Sequence, residues 1–254
     1  MKFPQLTKLI AVAGLAFATV SPVFADFKTD ARKVLTDHAP SVVGIRGLLK
    51  INASMNGQPS GGQDRPMASN GVVVADGLIA VAYRTLKPDL ASAQAQRPGL
   101  TIEAEISEIK IVTADGEEYD AKLVLHDEDL GVAFVAVDPK AENAANFKIK
   151  AIDISKDASV QHLDDLVGIG RMSEKLRSVA RANIGSVSAI VNRPRKIYIC
   201  QGLSMSTPVF NSTGEFIGLT VSIKSTGTTP VVIAAKYIRK VLDQAKVKQT
   251  ELTK

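Results

Sequence analysis

The chain has 254 residues, of which 45% are hydrophobic and 22% charged, a composition typical of a globular protein with one large domain or two smaller lobes. The formal net charge is +5, and no basic run is interleaved with aromatic residues, so the composition argues against a nucleic-acid partner. Tryptophan is absent, and the interior must therefore be built mainly from Val, Ile, Leu and Ala.

Residues 1–25 have the features of a secretory signal peptide. Lys2 and Lys8 make the start positive, the run LIAVAGLAFATV is short for a bilayer span, and Val23 and Ala25 place small residues at a cleavage site. We therefore expect cleavage after Ala25, a periplasmic or secreted protein, and no stable membrane span after cleavage. An uncleaved membrane anchor is the alternative.

Residues 26–150 are predicted to form a first β lobe. A short helix over TDARKVLTDH ends before Pro40, and a strand follows at Val42 to Arg46. The stretch from Asn52 to Asn70 is rich in Gly, Pro, Ser and Asn and is predicted as a loop. The β-branched runs GVVVA, LIAVAY, EIKIVTA, EYDAKLVLHD and GVAFVAVD then predict strands, two of them after Asp-Gly turns. The segment from Pro88 to Glu105 is predicted as a surface insertion.

Residues 151–246 are predicted to form a second β lobe with a closing helix. Its strands are DLVGIGR, SVARANIGSVSAIV, KIYICQ, TPVFN, EFIGLTVSI and TPVVIAAK. The period then changes, because Ile238, Val241, Leu242 and Ala245 form the apolar face of a helix. Residues 247–254 are predicted as a flexible tail. These patterns predict an all-β protein of two barrels or sandwiches with one C-terminal helix.

The same segments, taken in order, resemble the HtrA-type, trypsin-like serine proteases of the bacterial cell envelope. The resemblance is carried by HAPSVVGIRG, SNGVVVADGLIAVAYRTL, DLGVAFVAVD, LVGIGRMSEKLRSVARANIGSVSAIV and TPVFNSTGEFIGLTV, and it runs from about Asp37 to Ala245. It implies two six-stranded β-barrel lobes of the trypsin/chymotrypsin type. The peptide-binding PDZ domain usual in that family has no counterpart in this sequence.

The resemblance places the catalytic triad on residues that do not form one. Laying LIAVAYRTL on the family pattern puts Arg84 at the histidine position, and Asp129 matches the aspartate. The nucleophile falls on Met205 when counted back from Pro208, or on Ser204 when counted forward from Cys200. In either register, the two glycines that normally follow the serine are absent.

This replacement removes the chemistry of the triad. A serine hydroxyl needs a neighbouring base with a pKa near the working pH, and an arginine guanidinium stays protonated. The histidines offer no substitute, because His38 is expected on the surface or in a loop, His126 in a solvated turn near the cleft, and His162 in a surface connection. No confident catalytic residue is therefore predicted.

Other polar residues of the region have ordinary interpretations. Asp129 and Arg84 are expected to form an ion pair in place of the histidine–aspartate contact. Asp127, Glu128 and Asp129 are interpreted as a solvated acidic turn rather than a cation site, and the sequence predicts neither a metal nor a cofactor. Cys200, the only cysteine, is expected as a small core residue in a strand.

Of three functions compatible with the sequence, we expect the first, and the other two are alternatives. The first is a pseudoprotease that binds polypeptide segments or envelope proteins through the old substrate cleft. The second is an active serine endopeptidase that uses Ser204 with an unrecognised base. The third is a structural subunit of an envelope complex, and a homo-oligomer is compatible with each of them.

Overall fold

A computed structural model describes residues 27–90, 94–227 and 229–253. The predicted signal peptide and its cleavage site after Ala25 lie outside the described residues. Within the described part of the chain, no helix combines the length and the apolar character that crossing a membrane requires.

The first lobe is a closed, antiparallel six-stranded barrel. Helix α1 (Phe27–His38) and a 3-10 turn (Ala39–Ser41) precede it, and the short helix α2 (Tyr83–Leu86) follows its third strand. The strands are ordered β1-β2-β3-β6-β5-β4 around the barrel. They are β1 (Val42–Met55), β2 (Gln58–Ala75), β3 (Leu78–Ala82), β4 (Leu100–Val112), β5 (Glu118–Asp127) and β6 (Val132–Val137).

The second lobe repeats the six-stranded closure and is followed by helix α3 (Ala235–Glu251). Its strands are β7 (Asp165–Arg171), β8 (Ala180–Val191), β9 (Ile197–Gln201), β10 (Pro208–Phe210), β11 (Phe216–Val221) and β12 (Val231–Ala234). Two closed six-stranded barrels with a C-terminal helix confirm the predicted fold class. The predicted tail boundary at residue 247 is wrong, because α3 continues to Glu251.

One hydrophobic cluster joins the two barrels and the terminal helices. It contains Val34 of α1, Phe134 of β6, Phe210 of β10 and Ile238 of α3, all buried. The i, i+4, i+7 spacing of Ile238, Leu242 and Ala245 buries these three residues on one face of α3, as the periodicity predicts. Burial of this apolar surface holds the lobes in one arrangement.

Arg171 adds a polar connection at the same junction. Its side chain is buried, and its guanidinium donates to the backbone oxygens of Val42, Ser178 (3.1 Å) and Ala39 (2.7 Å). The guanidinium therefore ties β7 to the segment that links α1 and β1. Burial lowers the pKa of Arg171 from its ordinary value.

The predicted loop from Asn52 to Asn70 is wrong. β1 continues to Met55 and pairs with β2 from Gln58, around a tight turn at Asn56 and Gly57, both with positive φ. The predicted insertion is also partly strand, since β4 begins at Leu100 and pairs with β1. Residues 49–55, 58–65 and 100–106 thus form a three-stranded extension of the first barrel, which we call the arm.

Candidate functional site

Arg84 lies at the mouth of the cleft between the barrels, on α2 directly after β3. The N–H of Tyr83 donates to the oxygen of Gly131 (2.8 Å), which fixes α2 against the start of β6. The Nη1 of Arg84 contacts Oδ2 of Asp89 at 2.8 Å, and 22% of the Arg84 side chain is exposed. The predicted ion pair between Arg84 and Asp129 is therefore wrong, because Asp89, only five residues away, takes the guanidinium.

Asp129 is exposed in the turn before β6. Its backbone oxygen accepts a hydrogen bond from Nη1 of Arg195 (2.7 Å), so this loop of the first barrel contacts the β8–β9 hairpin of the second. Its carboxylate forms no ion pair within the described ranges. Asp129 thus joins the two barrels through its backbone oxygen.

The two carboxylates before Asp129 in the chain contact different partners. Oδ1 of Asp127 accepts the backbone N–H of Leu130 (2.8 Å), and Oε2 of Glu128 lies 3.0 Å from Nζ of Lys224. Lys224 lowers the pKa of Glu128, and Glu128 raises the pKa of Lys224. In the described part of the chain, no group of three or more His, Cys, Asp or Glu side chains is arranged to hold a metal ion.

The nucleophile region is a turn that ends at Pro208 of β10. Met205 is half-buried and packs against the cluster that joins the barrels, so its side chain contributes to packing. Ser204 is half-buried too, and its hydroxyl has no hydrogen-bond partner among the residues that the structure covers. Neither candidate therefore has a base beside it.

Ser206 belongs to both residue pairs, Met205–Ser206 and Ser206–Thr207, that the resemblance places at the two glycines. It is 1% exposed, its φ is +56°, and its Oγ accepts the N–H of Ala82 at 2.9 Å and donates to the oxygen of Asn70 at 2.7 Å. A positive φ is the reason a glycine is favoured at such a position. The side chain of Ser206 thus connects the second barrel to β2 and β3 of the first.

The three histidines lie apart from one another. His126 is exposed on β5 and stacks on Tyr83, with ring centroids 4.4 Å apart, so it lies beside the cleft but on a strand rather than in a turn. His38, expected on the surface, is half-buried and stacks on Phe210 at 4.3 Å, and its burial lowers its pKa. His162 is exposed in a turn, as expected.

Cys200 is half-buried in β9 and packs against the core of the second barrel. Burial raises the pKa of its thiol to about 11, which leaves almost no thiolate at neutral pH. This agrees with the expected structural role and gives the cleft no cysteine nucleophile.

Two cavities flank the cleft and share Lys224. One, of about 490 Å³, lies beside Arg84 and reaches β4 of the arm at Ile102 and Ala104. The other, of about 440 Å³, lies beside Asp129 and has Ile197, Ile199 and Ile223 in its wall, with Arg193 and Arg195 also among its lining residues. Both volumes lie in the range of about 300–1,000 Å³ typical of ligand pockets. Carboxylates line both cavities, and neither cavity has a histidine among the described residues of its wall.

The chain matches a known protein-family model. The model for the trypsin-like peptidase domain matches residues 68–219, which is more than half of the chain. The match begins on β2 and ends on β11, so it includes Arg84, Asp129, Ser204 and Met205. No curated protein matches the chain.

Proposed function

Because this chain belongs to the trypsin-like peptidase family, we propose that it is a non-catalytic, HtrA-like member of that family that binds extended polypeptide segments in the cell envelope. The segments are held in the cleft between the barrels. The envelope location rests on the signal-peptide features of residues 1–25.

One observation carries the loss of catalysis. The guanidinium at the position of the family's histidine is held by Asp89, with 2.8 Å between Nη1 and Oδ2. Guanidinium groups are protonated at physiological pH and do not accept the proton of a serine hydroxyl. Loss of the base alone removes most of the roughly 10⁶-fold contribution of a catalytic triad to the rate.

The turn after the nucleophile position supports the same proposal. The donors of an oxyanion hole must be aimed at the developing charge, and each is worth about 3–4 kcal/mol. Depending on the register, Met205 and Ser206 or Ser206 and Thr207 stand where the resemblance places the two glycines after the serine, and Ser206 and Thr207 are buried. The hydrogen bonds of Ser206 to Ala82 and Asn70 commit this turn to holding the barrels together.

Peptide binding is supported by the two barrels and by the cavities between and beside them. The barrels that form the cleft are complete, and the cavities beside Arg84 and Asp129 are open. An added strand contributes a few backbone hydrogen bonds of about 1 kcal/mol each and must offset its own ordering entropy. We therefore expect affinities on the order of micromolar.

The proposal is tested by activity and binding measurements on the purified protein. We expect no cleavage of unfolded casein, no labelling of Ser204 by a fluorophosphonate probe, and binding of extended peptides from an array, measured by titration calorimetry. Trypsin serves as the positive control for both activity assays.

Each contrary outcome favours one of the other two functions. Labelling that disappears in Ser204→Ala would identify an active endopeptidase. Absence of any peptide that binds more tightly than about a millimolar would favour a structural subunit.

A further inference from the structure

One edge of the arm is open to a further strand. Residues 100–106 of β4 pair with β1, whereas pairing of β4 with β5 begins only at Ile109. The opposite side of this part of β4 has no paired strand in the described ranges. A strand edge of this kind is a template for another extended chain.

Two contacts show which residues of β4 face this open edge. The oxygen of Leu48 on β1 accepts a hydrogen bond from Oγ of Ser107, so it points towards β4. Backbone direction alternates along a strand, so Lys50 and Asn52 also face β4, and their partners Glu105 and Glu103 face β1. The alternate residues of this stretch therefore direct their N–H and C=O groups outwards: Ile102, Ala104 and Ile106.

The second contact comes from the outer side. Nε2 of Gln94 donates to the oxygen of Ile102 at 2.7 Å. This is the hydrogen bond that the backbone N–H of an incoming strand would make. Gln94 thus occupies one acceptor of the edge, and the cavity of about 490 Å³ lies against the same stretch, with Gln94, Ile102 and Ala104 in its lining.

The side chains of β4 give the edge a chemical preference. One face of the arm is apolar at this edge, because Ala104 lies opposite Ile51 and Ile102 lies opposite Ala53. Ile106 lies on the same face, two residues further along β4. An added strand would extend this apolar face with its own apolar side chains.

The opposite face of β4 is acidic. Glu103 and Glu105 are exposed, and neither forms an ion pair within the described residues. Lys50 lies opposite Glu105 in the register, yet the two side chains are not within ion-pair distance. Opposite charges across neighbouring strands stabilise a sheet, and like charges destabilise it. The edge therefore selects against an acidic strand, including antiparallel pairing with a second copy of itself.

We propose that the outer edge of β4 at Ile102, Ala104 and Ile106 binds an extended segment in which apolar residues alternate with lysine or arginine, as an added antiparallel strand. The apolar residues lie opposite these three residues and exchange backbone hydrogen bonds with them. The basic residues lie beside Glu103 and Glu105. This inference rests on the proposed function and names its binding edge and the class of segment.

The experiment uses synthetic peptides of about ten residues that alternate valine with lysine, or valine with glutamate, and measures binding to the purified protein by calorimetry. We expect the lysine peptide to bind at least about tenfold more tightly than the glutamate peptide, with a difference that shrinks as salt is added. Methylation of the backbone nitrogens of the valines should abolish binding, because only the valines direct their backbone N–H groups at β4. Methylation of the backbone nitrogens of the lysines should leave binding unchanged.

Variants of the protein test the edge itself. Ala104→Pro removes one outward backbone N–H and should weaken binding about tenfold or more. The fold tolerates this proline, because its nitrogen faces a free strand edge and takes no part in the ladder of β1 and β4. Asp64→Pro is the matched control, because Asp64 lies opposite Lys50 on β2 and faces the other free edge of the arm. Gln94→Ala frees the oxygen of Ile102 and should strengthen binding severalfold.

The outcomes separate this inference from the proposed function. If peptides bind but are indifferent to Ala104→Pro and to the valine–lysine or valine–glutamate choice, the inference is overturned and the proposed function stands. If no extended peptide binds in the array or in the titrations, both are overturned. Circular dichroism and the melting temperature of each variant establish that a loss of binding is not a loss of fold.

Discussion

The hydroxyl of Ser206 accepts a hydrogen bond from the backbone N–H of Ala82 at 2.9 Å, across the interface between the two barrels. The same hydroxyl donates to Asn70, and Ser206 is 1% exposed. The turn that holds both nucleophile candidates, Ser204 and Met205, is thus part of the inter-barrel contact.

Ser206→Ala should therefore destabilise the protein by about 1–3 kcal/mol, because it leaves the buried N–H of Ala82 without its partner and removes one of the hydrogen bonds to the oxygen of Asn70. Ser206→Gly should cost less, since glycine adopts the observed φ of +56° without strain. Guanidinium unfolding measures both values. Ser204→Ala is the control and should lie within about 0.5 kcal/mol of the parent, and an equal loss in Ser204→Ala and Ser206→Ala would contradict the assigned role.

The buried guanidinium of Arg171 allows a second prediction. Arg171→Met keeps the apolar stem but leaves the oxygens of Ala39, Val42 and Ser178 without its hydrogen bonds. We expect a loss of about 2–4 kcal/mol in the free energy of unfolding. Lys175→Met, an exposed change in the 3-10 turn Glu174–Leu176 after β7, is the control. A loss below about 1 kcal/mol for Arg171→Met would show that water replaces the guanidinium at little cost.

His38 should make stability depend on pH. Burial against Phe210 lowers its folded-state pKa below 6.5, so the unfolded chain binds the proton more readily. Its contribution is thus fully present above about pH 6.5 and is lost as the pH falls from there through the folded pKa. Unfolding curves from pH 7.5 to 5 should show a smaller decline for His38→Phe than for the parent. The exposed His162→Gln should follow the parent, and identical profiles for all three proteins would refute the prediction.

Cys200 should react slowly with alkylating reagents. A thiol with a pKa of about 11 is far less ionised at pH 8 than an ordinary cysteine with a pKa near 8.5, and the thiolate is the reactive form. We expect iodoacetamide to modify the folded protein roughly a hundredfold more slowly than the unfolded protein in guanidinium, as followed by mass spectrometry. Equal rates in the two states would mean that β9 opens readily to solvent.

The arm shows where composition misleads. Pro59, Gly61, Gly62 and Pro66 predict a loop, yet they lie on β2. Pro66 is opposite Leu48, whose oxygen faces β4, so the N–H that Pro66 lacks would have pointed to the free edge rather than into the ladder. A proline is tolerated at that position, and only the pairing partners reveal it.

Local sequence was sufficient wherever period and turn chemistry act over a few residues. The barrels were determined by the Asp-Gly turns and by the alternation of apolar residues such as Val72, Val74 and Leu78. The closing helix was determined by the spacing of Ile238, Leu242 and Ala245. In both cases the burial of one face follows from the pattern itself. The absence of a base at Arg84 was also determined by the sequence, since no fold makes a guanidinium accept a proton at neutral pH.

Tertiary structure alone decided the partners. Arg84 pairs with Asp89 rather than Asp129, and Ser206 reaches Ala82 across a separation of 124 residues. A flexible guanidinium can contact any of several carboxylates, and a buried hydroxyl can bond to any of several backbone groups. The choice depends on distances that are fixed only when the two barrels close against each other. The open edge of β4 has the same origin, because a strand edge is free only where the neighbouring strand ends, and the sequence of β4 does not contain that information.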